Sequence, residues 1–295
     1  MENRFRGAGV ALITPFNSDF TIDFEALGNI VDYQISGGVD FLVILGTTAE
    51  TSTLKPKEKQ AIISFVAQRV NGRVPLMAGI GGNDTLSIVE SIRSFDLSGI
   101  DGILSVVPYY NKPTQEGIFR HYMAIAETSP LPLILYNVPA RTGISMSAET
   151  TLRLANASSK IIATKEASGN FADICRILRD KPQGFSLISG DDALIVPTIS
   201  LGGEGVISVL GNLLPGTVSE LTHTALKGNF TIAAALQLKI QRIIDLLFIE
   251  GNPAGVKAAM HIRNLVQNQL RLPLVPVSQT TYDAIAAELM KFEKA

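Results

Sequence analysis

Short runs of apolar, β-branched residues recur along the chain at intervals of roughly 20 to 35 residues. Each closes on glycine, threonine or another polar residue, and a longer stretch with helical spacing follows. Eight such runs are present: GVALITPF (9–16), DFLVILGTT (40–48), VPLMAGIGG (74–82), GILSVVPYY (102–110), LPLILYNVP (131–139), IIATKEAS (161–168), FSLISGDD (185–192) and GVISVLGN (205–212). They are apolar nearly from end to end, as parallel strands covered by helices on both faces are. Helix candidates fill the gaps, among them residues 24–38, 55–70, 84–99, 114–129 and 147–158, several opening near Ser, Thr or Asp and closing near Gly or Asn. Eight β/α units in about 230 residues predict an α/β fold, a closed (β/α)8 TIM barrel in preference to an open doubly wound sheet.

After Gly228 the strand signal ends. Helices are predicted over 230–248, 252–270 and 278–295, with the proline-rich RLPLVPV (271–277) as a connector. The expected organisation is a barrel with the active site over 1–228 and a C-terminal helical extension over 229–295.

Composition narrows the function. With 295 residues, 46% of them hydrophobic, the chain can bury a large core. A formal net charge of -2 and 18% charged residues, with no basic stripe, argue against nucleic acid as a partner. Cys175 is the single cysteine, which excludes an intrachain disulfide and suits a reducing cytoplasm. The opening MENRFRGAGVALITPF has no longer hydrophobic stretch with a cleavage signal, and no run approaches the ~18 apolar residues of a membrane span. The expectation is a soluble cytoplasmic protein without a membrane partner.

Candidate chemistry collects at the ends of the strand runs. In a (β/α)8 barrel the active site lies at the carboxyl ends of the strands, and Lys165 falls at that end of the sixth. A partly desolvated amine there can attack carbonyls. The ordinary alternative is a lysine paired with Glu166, although neighbours on a strand point to opposite faces. Position alone leaves both readings open. Tyr136 ends the fifth run with Arg141 just beyond, Thr47 and Thr48 follow the second, and Tyr109 and Tyr110 follow the fourth. Taken singly these are core tyrosines and turn threonines; together they converge on one mouth.

In order and spacing, GVALITPF, GTTAE, PYYNKP, YNVPARTG, TKEASGN, SGDD and GVISV resemble the pyruvate-dependent class I aldolases of the N-acetylneuraminate lyase superfamily, from about residue 7 to the C-terminus. The strand-five tyrosine and strand-six lysine mark the whole superfamily. The Thr-Thr pair, the Tyr-Tyr pair and the arginine resemble the branch that condenses pyruvate with L-aspartate 4-semialdehyde on the diaminopimelate route to lysine. The resemblance implies a covalent imine of pyruvate on Lys165 and no separate cofactor. It implies a proton relay of Tyr136, Thr47 and Tyr110, the last entering a neighbouring subunit's site, with Tyr109 beside that interface. Arg141 would bind the semialdehyde carboxylate. Thr48 and the Thr47 backbone would hold the pyruvate carboxylate, while Gly190 and Ile207 would contribute main-chain groups. A homo-oligomer follows, most often in this family a tetramer built as a dimer of dimers.

The chain departs from the pattern at two places. GTTAE stands where GTTGE is usual, so the loop must take a conformation that Ala49 tolerates. In the interface cleft where lysine inhibits some relatives, which use histidine after GTTGE and a glutamate after the strand-three loop, Pro56, Lys59 and Ser87 stand at the aligned positions, while Asn83 and Tyr109 remain. That pattern implies weak or absent lysine feedback. His121, His223 and His261 lie apart on helix candidates and read as surface or packing residues, so no metal site is expected. Asp191 and Asp192 read as a helix N-terminal pair. GIGGND and LGGEG lack dinucleotide or phosphate-loop spacing and read as turns.

Three alternatives stay beside this reading. A sibling aldolase, such as N-acetylneuraminate lyase or a 2-keto-3-deoxy sugar acid aldolase, keeps Lys165 and Tyr136 but commonly lacks the threonine, tyrosine and arginine set. A noncatalytic barrel that binds an oxo acid would lose the lysine or a relay hydroxyl, and neither is lost. A pyridoxal phosphate enzyme would need a phosphate-binding loop after the seventh or eighth strand, where none is recognisable.

Overall fold

The structure is a computed structural model that describes residues 4–294. Residues 1–3, the start of the segment read for a targeting signal, and Ala295, the end of the last helix candidate, lie outside the described residues.

Eight strands close into a parallel barrel in chain order: β1 Gly7–Ala11, β2 Phe41–Ile44, β3 Leu76–Gly79, β4 Gly102–Val106, β5 Leu133–Asn137, β6 Ile161–Glu166, β7 Ser186–Ser189 and β8 Gly205–Ser208. The barrel shuts where β1 pairs with β8, Gly7 beside Gly205 and Val10 beside Ser208. Each predicted run coincides with one strand; β1 begins two residues before its run, at Gly7, and the fifth run ends on Pro139, the first residue of a short helix. Four short 3₁₀ turns steer the chain across the mouth, Thr47–Ala49 and Thr51–Thr53 after β2, Asp192–Leu194 after β7 and Leu210–Asn212 after β8.

The wall of helices comprises α1 Phe24–Ser36, α2 Pro56–Val70, α3 Thr85–Ser94, α4 Gln115–Thr128, α5 Pro139–Thr142, α6 Ala148–Ala157, α7 Phe171–Asp180, α8 Ile195–Ser200 and α9 Pro215–Leu226. Side-chain caps start several of them, as with Asp23 accepting from Ala26 N–H on α1 and Asn170 accepting from Asp173 N–H on α7. Three further helices follow, α10 Phe230–Phe248, α11 Ala254–Ile262 and α12 Gln279–Lys294. Among the described residues no helix is long and apolar enough to cross a membrane.

Two predicted helices end early. The 84–99 candidate stops at Ser94, because Phe95 turns extended (ψ 136°) and lies with Leu97 against the core. The 252–270 candidate stops at Ile262, with Asn264 in the left-handed region (φ 56°) and Leu265 N–H donating back to the Met260 carbonyl.

Each strand has two buried faces. The inward face carries Phe41, Val43, Met77, Ile134, Ile188 and Ile207, and Phe5 packs edge-to-face on Phe41 below them. The outward face joins the helices in one continuous cluster. His121 belongs to that outer layer on α4: it is buried, and its Nδ1 lies 2.9 Å from the Thr85 hydroxyl. Of the other histidines, His223 meets Asp40 at 2.7 Å and His261 Nδ1 meets the Val266 carbonyl at 3.0 Å.

Burial pushes His121 from 6.5 down to about 4, with nearby Asp84 only partly opposing it. Below pH 6.5 the unfolded chain therefore takes up a proton that the folded chain refuses. Stability is complete above pH 6.5 and falls as pH drops toward 4, by up to about 3 kcal/mol. Urea unfolding at stepped pH should show that decline, and His121→Phe should flatten it; an unchanged slope in the variant would contradict the assignment.

Candidate active site

β5 and β6 pair with Tyr136 beside Lys165 and Asn137 beside Glu166. Strand alternation sends the first pair into the barrel and the second outward. Lys165 and Tyr136 are 5% and 7% exposed, and Nζ lies 4.2 Å from the centroid of the tyrosine ring. Among the described residues Lys181, Lys257 and Lys291 form ion pairs with carboxylates, and Lys165 does not. The pairing of Lys165 with Glu166 is absent because Glu166 faces the other way. There its carboxylate accepts from Asn137 Nδ2 at 3.1 Å and from Ser168 N–H at 2.8 Å. Burial pushes that carboxyl above its ordinary range, against those two hydrogen bonds.

Gly190 stands across from the amine. A Cβ there would lie 2.7 Å from the Ala167 Cβ and 3.0 Å from the Lys165 Cε, so a side chain at this position would take the space beside the lysine. The space is a cavity of about 560 Å³ whose walls include Thr47, Thr48, Tyr136, Arg141, Lys165 and Gly190. Six of the ten residues singled out by the sequence thus meet at one mouth. Ile207 packs inside the barrel below it, and Val209, two residues on, reaches the cavity wall instead.

The threonines arrive on the 3₁₀ turn after β2. Ala49 lies within that turn, and the left-handed conformation falls on Glu50 (φ 54°), which is why alanine is tolerated where glycine is usual. Thr48 Oγ1 accepts from Asn252 Nδ2 at 2.9 Å, and the Asn252 carbonyl accepts from Arg141 Nη2 at 3.2 Å. Asn252 lies beyond the last strand, as do Ile244, Asp245 and Phe248 of α10, which also line the cavity. Sequence reading missed these four. Nothing local marks them; only the fold brings residues some 200 positions apart together.

Asp191 caps the Asp192–Leu194 turn through Ala193 N–H, the helix N-terminal role expected of it. Asp192 does something further: it is buried, and its carboxylate accepts from the Ser208 hydroxyl and from Val209 and Leu210 N–H. Burial raises this carboxyl too. The loop after β7 is thereby tied to the loop after β8 that carries Val209.

Tyr109 and Tyr110 stand apart from the cavity. Tyr110 is 88% exposed on a left-handed residue (φ 71°), and Asn111 Nδ2 nearby donates to the Asn83 carbonyl. A second cavity of about 480 Å³ shares Gly46, Thr47 and Tyr136 with the first and runs outward between α2 and α3. Pro56, Lys59 and Ser87 line it, and Asn83 and Tyr109 do not. Burial lowers the Lys59 ammonium. Glu90, one turn beyond Ser87 on α3, brings to this wall a carboxylate that the sequence reading left out.

No group of three or more His, Cys, Asp or Glu side chains among the described residues is arranged to hold a metal ion.

A closed eight-stranded parallel barrel, with an uncompensated lysine beside a tyrosine at its carboxyl-end mouth, defines the class: a (β/α)8 barrel with a strand-end amine site. The chain belongs to the dihydrodipicolinate synthetase family, whose model matches residues 4–292. It is 51% identical over 289 residues to the 4-hydroxy-tetrahydrodipicolinate synthase of Phocaeicola vulgatus, covering 98% of this chain and 97% of that protein. Among solved structures it resembles dihydrodipicolinate synthase from Aquifex aeolicus (39% identity, TM-score 0.95, 98% of each chain). It also resembles the enzyme from Cyanidioschyzon merolae solved with lysine bound (34% identity, TM-score 0.96, all of each chain).

The Asp192 tie yields a test. Asp192→Ala would leave a hydroxyl and two backbone N–H groups in the interior without their acceptor, a loss of about 3 kcal/mol. Urea unfolding measures it, and a change within about 0.5 kcal/mol would show that the three donors find other partners.

Proposed function

We propose that the protein is a 4-hydroxy-tetrahydrodipicolinate synthase, a lyase that condenses pyruvate with L-aspartate 4-semialdehyde in the diaminopimelate route to lysine. The observation that carries the reading is Lys165 Nζ: buried, without an acidic partner, over the Tyr136 ring and on the wall of a cavity that also holds Thr47, Thr48 and Arg141. The full-length identity to relatives of that name supports it.

In this reading the Lys165 amine adds to the keto carbon of pyruvate and water leaves, giving an imine. The imine draws electrons from the methyl carbon, which loses a proton and becomes an enamine. The enamine carbon attacks the aldehyde of the semialdehyde, whose oxygen takes a proton. The amine of that substrate then closes on the imine carbon and expels Lys165. Tyr136 and Thr47 carry protons at the cavity. Arg141 holds the semialdehyde carboxylate with its guanidinium fork, Thr48 and the Thr47 backbone hold the pyruvate carboxylate, and the main chain at Gly190 completes the wall, with Ile207 packed below it. No separate cofactor takes part, because the imine is the electron sink.

Tyr110 belongs to a neighbouring copy's relay in this reading, which its 88% exposure suits. The working unit is then at least a twofold dimer with reciprocal tyrosines, and we propose a tetramer of two such dimers in the cytoplasm. The organisation we propose is a barrel over 1–228 with a helical extension over 229–295 that contributes to the mouth.

Steady-state turnover with pyruvate and aspartate semialdehyde tests the assignment. Lys165→Ala should lower kcat by at least ~10³-fold and Tyr136→Phe by ~10²-fold, while Arg141→Lys should act mainly through a higher KM for the semialdehyde. Turnover within tenfold of normal in Lys165→Ala would sink the reading. Cleavage of a sugar acid with no condensation would move the protein to a sibling aldolase.

Feedback is a separate expectation. Lys59 sets a cation in the second cavity, so low-millimolar lysine should leave the rate unchanged. Inhibition there, relieved by Glu90→Gln, would instead make Glu90 the acceptor of the ligand's ammonium.

A further inference from the structure

The segment from Gly46 to Leu54 crosses the mouth in two 3₁₀ turns, and Glu50 is the left-handed residue that joins them (φ 54°, ψ 37°). A residue with a side chain keeps that conformation only when its surroundings hold it. Here the hold is ionic and fully buried. Glu50 Oε1 accepts from Lys257 Nζ at 2.5 Å, both side chains are 0% exposed, and Oε2 accepts from Arg271 N–H at 2.9 Å. Lys257 Nζ also donates to the Gln269 carbonyl at 2.8 Å and lies 4.2 Å from the centroid of Phe16. Burial pushes this lysine down to about 8, with the Glu50 carboxylate opposing the shift.

Lys257 is itself fixed in place. It sits on α11, which presses against α10 so closely that a Cβ at Gly255 would stand 2.2 Å from the Leu247 carbonyl oxygen. Five residues before Lys257, Asn252 donates to Thr48. One short stretch of the C-terminal region therefore grips the Thr47–Glu50 segment at two points, while Thr14 Oγ1 on the β1 side donates to the Ala49 carbonyl at 2.8 Å.

We propose that Lys257 is a positioning residue for the reaction: through its buried pair with Glu50 it sets the turn that presents Thr47 and Thr48 to the cavity. The proposal rests on the reading that Lys165 and these threonines form the reacting site. Lys257 does not line the cavity and touches no reacting atom; it acts through Glu50. A pair kept only for stability would be replaceable by neutral groups without consequence for the chemistry, since exchanging a buried ion pair for apolar or neutral side chains is often harmless to folding.

That contrast sets the experiment. Full-length Lys257→Met leaves Glu50 buried without its partner and should lose several degrees of melting temperature. The double variant Lys257→Met with Glu50→Gln removes both charges and should recover most of that loss. Glu50→Asp keeps both charges and shortens the reach by one methylene. Melting temperature is read beside kcat and beside the rate at which pyruvate forms a borohydride-reducible adduct on Lys165. The proposal expects kcat and adduct formation to stay ~10- to 100-fold down in the recovered double variant and in Glu50→Asp. Recovery of both rates together with melting temperature would overturn it. Absence of any adduct in the unaltered protein is a different failure, that of the reading of Lys165.

Discussion

Both faces of all eight strands are buried, and that constraint orders everything else. The barrel interior is filled by Phe41, Met77, Ile134 and their neighbours, and the outer face by the helical layer. Polar chemistry is left with the strand ends, where the chain emerges into loops. The register of β5 against β6 then decides which polar residues share a face: Tyr136 and Lys165 turn inward as one pair, Asn137 and Glu166 outward as another. A slip of β6 by one residue would set Glu166 beside Tyr136 and put the carboxylate where the amine now stands.

The outward and sub-surface acids stiffen the mouth. Glu166 ties to Asn137, Asp192 bridges the loops after β7 and β8, and Glu50 anchors the turn after β2 to α11. Each is a buried carboxyl met by two or more donors, the condition under which burial of such a group is tolerable. The result is a site whose amine forms no ion pair while Glu166, Asp192 and Glu50 are engaged elsewhere.

Much of this was legible in the sequence because it is local. An end-to-end apolar run implies a strand buried on both faces, eight such runs imply closure, and a lysine at the end of the sixth implies a position at the mouth. Thr47, Thr48, Tyr136 and Arg141 follow by the same rule. What stayed hidden depends on contacts between distant segments. Asn252 and Phe248 read as ordinary helical residues, and nothing near them refers to Thr48. The helix predicted to Leu270 ends at Ile262 because Asn264 takes a left-handed turn, and an apolar periodicity cannot register that. Asp192 read as a helix-end residue, yet its partners Ser208, Val209 and Leu210 are visible only once β7 and β8 are adjacent.

The account turns on Lys165 being a nucleophilic amine. Reduction of the unaltered protein with borohydride in the presence of pyruvate, followed by peptide mass mapping, tests this most directly. The account predicts one pyruvate-derived adduct per chain, on the peptide that carries Lys165. An unmodified Lys165 under those conditions would contradict it and return the residue to a structural role.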